Sequence, residues 1–139
     1  MAVQQIAEPD VVTAHRDDGV EDVVEKMATE NVGSVVIVED GSPVGIVTDR
    51  TIALSIREVD DVADQTVDDL MAADLATVSA DAGVFDVIRT LSDEGVRRVP
   101  VVDDGGSLEG IVSLDDLIVL LADEFGGIST VIEQQAPRF

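Results

Sequence analysis

Ser113 and Asp116 stand three apart, directly after Ile111-Val112 and at the head of an apolar helical stretch. A carboxylate there can accept from two vicinal sugar hydroxyls while the serine hydroxyl donates beside it. The free N–H groups of a helix start also favour a phosphate. The same residues read equally as a capping box, with Asp where Glu or Gln is usual, and the two roles can coexist. Arg97 and Arg98 are adjacent in a chain with seven Arg and one Lys. Guanidinium groups bind phosphate bidentately, which makes this pair and Arg50 phosphate candidates. The alternative is surface arginines meeting nearby carboxylates. Alternation along a strand turns Arg97 and Arg98 to opposite faces, so one at most should line a given cleft. His15, the only histidine, sits in an Asp-rich lead-in, where solvent exposure is more usual than contact with a purine or phosphate.

No nucleophile is paired with a base, so no catalytic site is expected. The absence of cysteine excludes disulfides, a cysteine nucleophile and thiolate zinc. The pairs Asp17-Asp18, Asp60-Asp61 and Asp68-Asp69 lack the spacing of a metal loop, so they read as a solvated face with no metal site. Asp103-Asp104-Gly105-Gly106 reads as a hairpin turn, since no Lys and Ser/Thr follow it as in a phosphate loop.

The elements that must position these residues come from a repeat. Shifted by 64, the chain matches itself: Val3 falls on Val67, Thr13 on Thr77, Gly19-Val20 on Gly83-Val84 and Asp40-Gly41 on Asp104-Gly105. One residue is gained near Gly106, and Gly45-Ile46-Val47 then falls on Gly110-Ile111-Val112 at a shift of 65. Each copy opens with an extended stretch, Val11–Thr13 or Ala76–Val78. An amphipathic helix follows, with Val20, Val23, Val24 and Met27, or Val84, Val87, Ile88 and Leu91, on one face. Asp17 and Asp18, or Asp81, are expected to cap it. A hairpin then joins Ser34–Val38 to Val44–Thr48, or Val99–Val102 to Leu108–Ser113. A second helix starts at Asp49 or Leu114. The fold class is α+β: two β-α-β-β-α units packed about a pseudo-two-fold. Leu117 to Leu121 is apolar nearly all round and is expected to be buried between the halves. The units span 1–60 and 65–123. In the tail, 124–139, Gly126-Gly127 is expected to stop the helix. Val131, Ile132 and Phe139 beyond it either cover a dimer surface or belong to a frayed end.

Thirty acidic residues against eight basic ones give a net charge of −22, a field that repels nucleic-acid backbones. The chain has twenty Asp and one Lys, Lys26, a composition resembling that of proteins from halophilic archaea. At molar salt the screening length falls to about 3 Å and carboxylate repulsion largely disappears. With no membrane-length apolar run and no visible signal segment, a cytoplasmic protein without membrane association is expected.

Gly33-Ser34-Val35-Val36-Ile37-Val38 and Gly45-Ile46-Val47-Thr48-Asp49-Arg50 carry a resemblance, together with Val96–Val101 and Gly110–Asp116 in the second copy. The lead-ins Val3–Ile6 and Val67–Met71 fit it too. The chain resembles a stand-alone tandem pair of cystathionine-β-synthase-type (CBS) domains. The resemblance implies a regulatory module that binds an adenine nucleotide or, less often, S-adenosylmethionine, and it implies a homodimer. Each cleft then combines the last motif of one copy with the early strands of the other. Ser113 and Asp116 would face Thr13, Gly33, Ser34 and Val35. Thr48 and Thr51 would face Thr77, Arg97, Arg98 and Pro100. Thr51 stands where the family usually has Asp, so this second cleft is expected to be the weaker. The charge of −22 ranks AMP before ADP and ATP, with Mg²⁺ masking the phosphates of ATP, and S-adenosylmethionine last. The competing expectation is a dimerisation scaffold with vestigial clefts. The regulated protein is not named by the sequence.

Overall fold

The computed structural model describes residues 1–135. Each copy forms one three-stranded sheet. In the first, β1 (Thr13–Ala14) runs parallel to β2 (Ser34–Glu39), which pairs antiparallel with β3 (Ser42–Thr48). In the second, β4 (Val78–Ser79), β5 (Arg98–Val102) and β6 (Leu108–Ser113) repeat this order. Helices α1 (Val20–Glu30) and α2 (Asp49–Ser55) belong to the first copy, α3 (Val84–Glu94) and α4 (Leu114–Gln135) to the second. The predicted β-α-β-β-α order is therefore present twice. The first hairpin closes through Asp40 and Gly41, both at positive φ, as a tight turn between right-twisted strands requires.

Period-two alternation gives each sheet two distinct faces. Val35, Ile37 and Val47 meet Val20, Val23 and Met27 of α1 in one core. Val99, Val101 and Val112 meet Val84, Val87 and Leu91 of α3 in the other. Val36 is fully buried yet belongs to neither core. It shares the opposite face with its cross-strand partner Ile46 and with Ser34 and Thr48. The copies also touch at their hairpins, where Leu108 donates its N–H to Gly41 O at 2.9 Å.

The lead-ins are exchanged between copies. Val3 lies in the core of the second copy, whereas Val62 and Val67 lie in the core of the first. Glu8 and Ile111 exchange backbone hydrogen bonds of 2.8 and 3.0 Å, and Ala72 and Ile46 exchange bonds of 3.0 and 3.2 Å. This crossing accounts for Gly45 and Gly110. A Cβ on Gly45 would fall 2.5 Å from Met71 Sδ and 3.1 Å from Ala72 O. One on Gly110 would fall 3.0 Å from Glu8 O. Only glycine admits a second backbone so close.

Three expectations are corrected. The first concerns the caps of α1 and α3, which are Gly19 and Gly83, without side-chain capping bonds. Val20 N–H donates to Gln65 O and Val84 N–H to Met1 O, so the exchanged lead-ins satisfy the helix starts. Asp18 instead accepts from His15 N, and Asp81 N–H donates to Ser79 Oγ. The second concerns Gly126-Gly127, which does not stop α4. A helical glycine costs only about 1 kcal/mol relative to Ala, and no neighbour forces a turn at this point. The third concerns burial of the Leu117–Leu121 segment. Only Leu117 is buried; Leu120 packs partly against the core, while Ile118, Val119 and Leu121 face solvent. α4 packs against α3 and β6, and Leu117 lies in the core that Val3 of the exchanged lead-in joins. Phe139 lies outside the described residues.

Candidate functional site

The start of each second helix is tied to the loop before the middle strand. Asp49 N–H donates to Gly33 O at 3.0 Å, and Leu114 N–H to Arg97 O at 2.7 Å. In register, Ser34 lies opposite Thr48 and Arg98 opposite Ser113. Each helix start thus sits beside residues of β2 or β5 on the non-helical face.

Between the copies lies a cleft of about 340 Å³, lined by Ile46, Thr48, Asp49, Arg50, Val96, Arg97 and Arg98. Thr48 was expected to face Arg97 and Arg98, whereas Arg50 was a phosphate candidate assigned to neither cleft; Thr51, Thr77 and Pro100, expected on the same cleft, do not line it. Ile46, Asp49 and Val96 were not named as site residues, although each falls within a quoted motif. Both arginines line this one cleft, contrary to the expectation from strand alternation. Arg97 precedes β5, so strand alternation does not govern it. Its side chain reaches Asp115 Oδ1 at 3.3 Å, an exposed pair of little energetic weight. Arg50 and Arg98 make no ion pair among the described residues. Asp49 turns inward on itself, its Oδ1 accepting from Arg50 N at 2.7 Å.

Thr48 caps α2. Its Oγ1 accepts from Thr51 N at 3.1 Å and donates to Thr51 Oγ1 at 3.0 Å. Thr51 keeps a hydroxyl hydrogen to donate and offers no carboxylate. Ser113 and Asp116 form a reciprocal box: Ser113 N donates to Asp116 Oδ2 at 2.9 Å, and Asp116 N donates to Ser113 Oγ at 3.2 Å. The box leaves Asp116 Oδ1 able to accept and the Ser113 hydroxyl able to donate. Both side chains are half-buried and held in place. The capping role thus orients the groups that a ribose would need.

By the repeat, Thr48, Asp49 and Arg50 correspond to Ser113, Leu114 and Asp115, and Val96, Arg97 and Arg98 to Val32, Gly33 and Ser34. No arginine occupies the corresponding positions, so positive charge is concentrated on the Thr48 side. The other named residues are dispersed. Thr13 borders a depression with Asp10, Val11 and Lys26, whose Nζ donates to Thr13 O at 2.8 Å. Val35 is buried in the core of its own copy. Pro100 is buried, while Thr77 and His15 are exposed. Arg16 bridges Glu39 at 3.0 Å and Asp68 at 2.9 Å, tying the exchanged lead-in to β2. These two carboxylates raise its pKa further above the usual arginine range, by hydrogen bonds first. Among the described residues, no three His, Asp or Glu side chains gather as metal ligands. No described helix is long and apolar enough to cross a membrane.

Comparison with known proteins agrees with this geometry. A CBS domain model matches residues 3–58 and again 67–123. A protein of Methanopyrus kandleri is 33% identical over 120 residues, covering 85% of this chain and 61% of its own length. This chain therefore spans less than two thirds of that relative. The CBS domain pair of protein MJ0100, solved in complex with 5′-methylthioadenosine and S-adenosyl-L-methionine, is 26% identical with a TM-score of 0.80. That match covers 89% of this chain and 98% of the other. A CBS domain protein of Pyrobaculum aerophilum, complexed with AMP, shares the fold at 21% identity and a TM-score of 0.77, over 84% of this chain and 90% of that one. With two matched copies, two exchanged lead-ins and a cleft between the sheets, the chain belongs to the CBS domain family as a tandem pair.

Proposed function

We propose that the chain is a regulatory module that binds an adenosine-containing ligand between its two copies. The observation that carries this reading is the convergence of Arg50, Arg97 and Arg98 with Thr48 on one cleft. In a chain of net charge −22, three of the seven arginines meet at one place. The arginines supply bidentate donors for a phosphate. Ser113 and Asp116 supply a sugar-hydroxyl site on the opposite side. AMP ranks before ADP and ATP, because each added phosphate meets the overall negative field unless Mg²⁺ masks it. The ligand touches both copies, so it favours the relative orientation that it fits best. A change in the shape of a homodimer then reaches a partner protein. The reading is non-enzymatic and cytoplasmic, and the carboxylate surface supports adaptation to high salt.

The MJ0100 complex favours a second ligand class, adenosyl sulfur compounds without phosphate. Thr51, where a carboxylate would hold ribose better, favours a third reading, a scaffold with vestigial clefts. Calorimetric titration with AMP, ADP, ATP and S-adenosylmethionine in molar KCl separates the three. Heat from AMP that exceeds that from the others is expected. Heat from S-adenosylmethionine alone selects the second reading, and no heat from any ligand selects the scaffold.

A further inference from the structure

We propose that Asp115 competes with a ligand's phosphate for Arg97 and so sets how strongly the arginine-lined cleft prefers a phosphorylated ligand. This role rests on the nucleotide reading of the cleft. Among its three arginines, Arg50 and Arg98 make no ion pair among the described residues, whereas Arg97 Nη2 meets Asp115 Oδ1 at 3.3 Å. The bond from Leu114 N–H to Arg97 O brings the two side chains together. The pair exists in one copy only. By the repeat, Gly33 stands in place of Arg97 and Arg50 in place of Asp115. The first copy builds the same sheet and helix start around Gly33, with the same backbone bond from Asp49 N–H. The fold common to both copies therefore does not need this ion pair.

The contact is weak enough to yield. It is a single bond at 3.3 Å between side chains that are 69% and 77% exposed. A strong charge-assisted bond is shorter, about 2.7–2.9 Å, and an exposed pair contributes little. Arg16 shows the contrast: it is gripped by two carboxylates at 3.0 and 2.9 Å. A phosphate offers the guanidinium fork two oxygens at once and displaces the single carboxylate. Only the difference between the two contacts then appears as affinity. Asp115 loses little when Arg97 leaves, because it lies in the first turn of α4, where unpaired N–H groups favour a carboxylate. Asp49, the other carboxylate beside this cleft, bonds to its neighbour's backbone N–H and holds no guanidinium. An adenosyl ligand without phosphate makes no demand on Arg97. Asp115 thus acts through Arg97 as a positioning residue that sets selectivity between phosphorylated and unphosphorylated ligands.

The test is calorimetric titration of the full chain with AMP and with 5′-methylthioadenosine, at the lowest KCl that preserves the melting transition. Asp115→Asn should tighten AMP about two- to fivefold, the span that an exposed ion pair covers. Binding of 5′-methylthioadenosine should not change. Asp123→Asn removes the same charge from an exposed position further along α4 and should leave AMP as in the wild type. In an Arg97→Ala background, Asp115→Asn should add nothing, since the partner through which it acts is gone. Equal AMP affinity in the wild type and Asp115→Asn overturns this role while leaving the nucleotide reading intact. A gain that Asp123→Asn reproduces, or that persists without Arg97, also overturns it, because the overall field and not the pair would then be responsible. Absence of AMP binding by both the wild type and Asp115→Asn overturns the nucleotide reading and this role together.

Discussion

Leu114 donates its backbone N–H to the carbonyl of Arg97 at 2.7 Å, coupling the first residue of α4 to the residue that leads into β5 and Arg98. Asp49 and Gly33 make the same bond in the other copy. Any displacement of the Arg97 loop by a bound phosphate therefore acts directly on the start of α4.

The arginines should distinguish phosphate from adenosyl ligands. Arg97→Ala and Arg98→Ala are each expected to weaken AMP at least about tenfold, since hydrogen bonds to charged groups contribute about 1.5–3 kcal/mol. Binding of 5′-methylthioadenosine, which lacks phosphate, should be unchanged by either substitution. Calorimetry on the two ligands checks this. Equal loss for both would remove the phosphate role.

The two sugar sites should respond in opposite directions. Asp116→Ala should weaken any adenosine ligand of the Ser113 side. It should also cost about 1 kcal/mol of stability through the lost box. Thr51→Asp should add a ribose acceptor where Thr48 and Thr51 now hold each other, raising the number of nucleotides bound or their affinity. An unchanged titration for both variants would leave the clefts without a role in ligand binding.

Gly45→Ala should destabilise the fold by about 1–3 kcal/mol, because the new Cβ overlaps Met71 and presses on the Ala72 carbonyl. The melting temperature should fall by several degrees. Met71→Ala should restore part of that loss, since Sδ is the nearest obstacle. No rescue would mean that the Ala72 backbone, 3.1 Å away, sets the limit.

Salt should stabilise this chain. Thirty carboxylates repel one another at low ionic strength, and molar KCl screens them. The melting temperature is expected to rise steadily from dilute buffer to molar KCl. A flat profile would remove salt adaptation from the reading. Arg16, held between Glu39 and Asp68, works against this trend locally, since its two exposed ion pairs weaken as salt rises.

Much of the fold was legible along the chain because it rests on local order. The apolar spacing of Val20, Val23 and Met27 set α1, and the β-branched run Ser34–Val38 set β2. The slip at Gly106 placed the second hairpin, and Ser113-x-x-Asp116 announced a helix start that is present as a reciprocal box. The repeat supplied the number of units.

What the sequence by itself determined is therefore the repeat, the element order and the faces of each strand and helix. The faces and the order depend on residues within a turn or two of one another, and the repeat on identities at a constant shift of 64 or 65. Only the tertiary structure decided the exchange of lead-ins, which satisfies the N–H groups of Val20 and Val84 and explains Gly45 and Gly110. It also decided that Arg97 and Arg98 meet Thr48 in one cleft, because Arg97 lies just before the strand whose alternation was applied to it. It carried α4 through Gly126-Gly127 and left the helix exposed from Leu121 onward, since no described residue packs there to turn it aside. These features arise from groups far apart in sequence, whose meeting depends on how two cores pack, and periodicity along the chain holds no information about that.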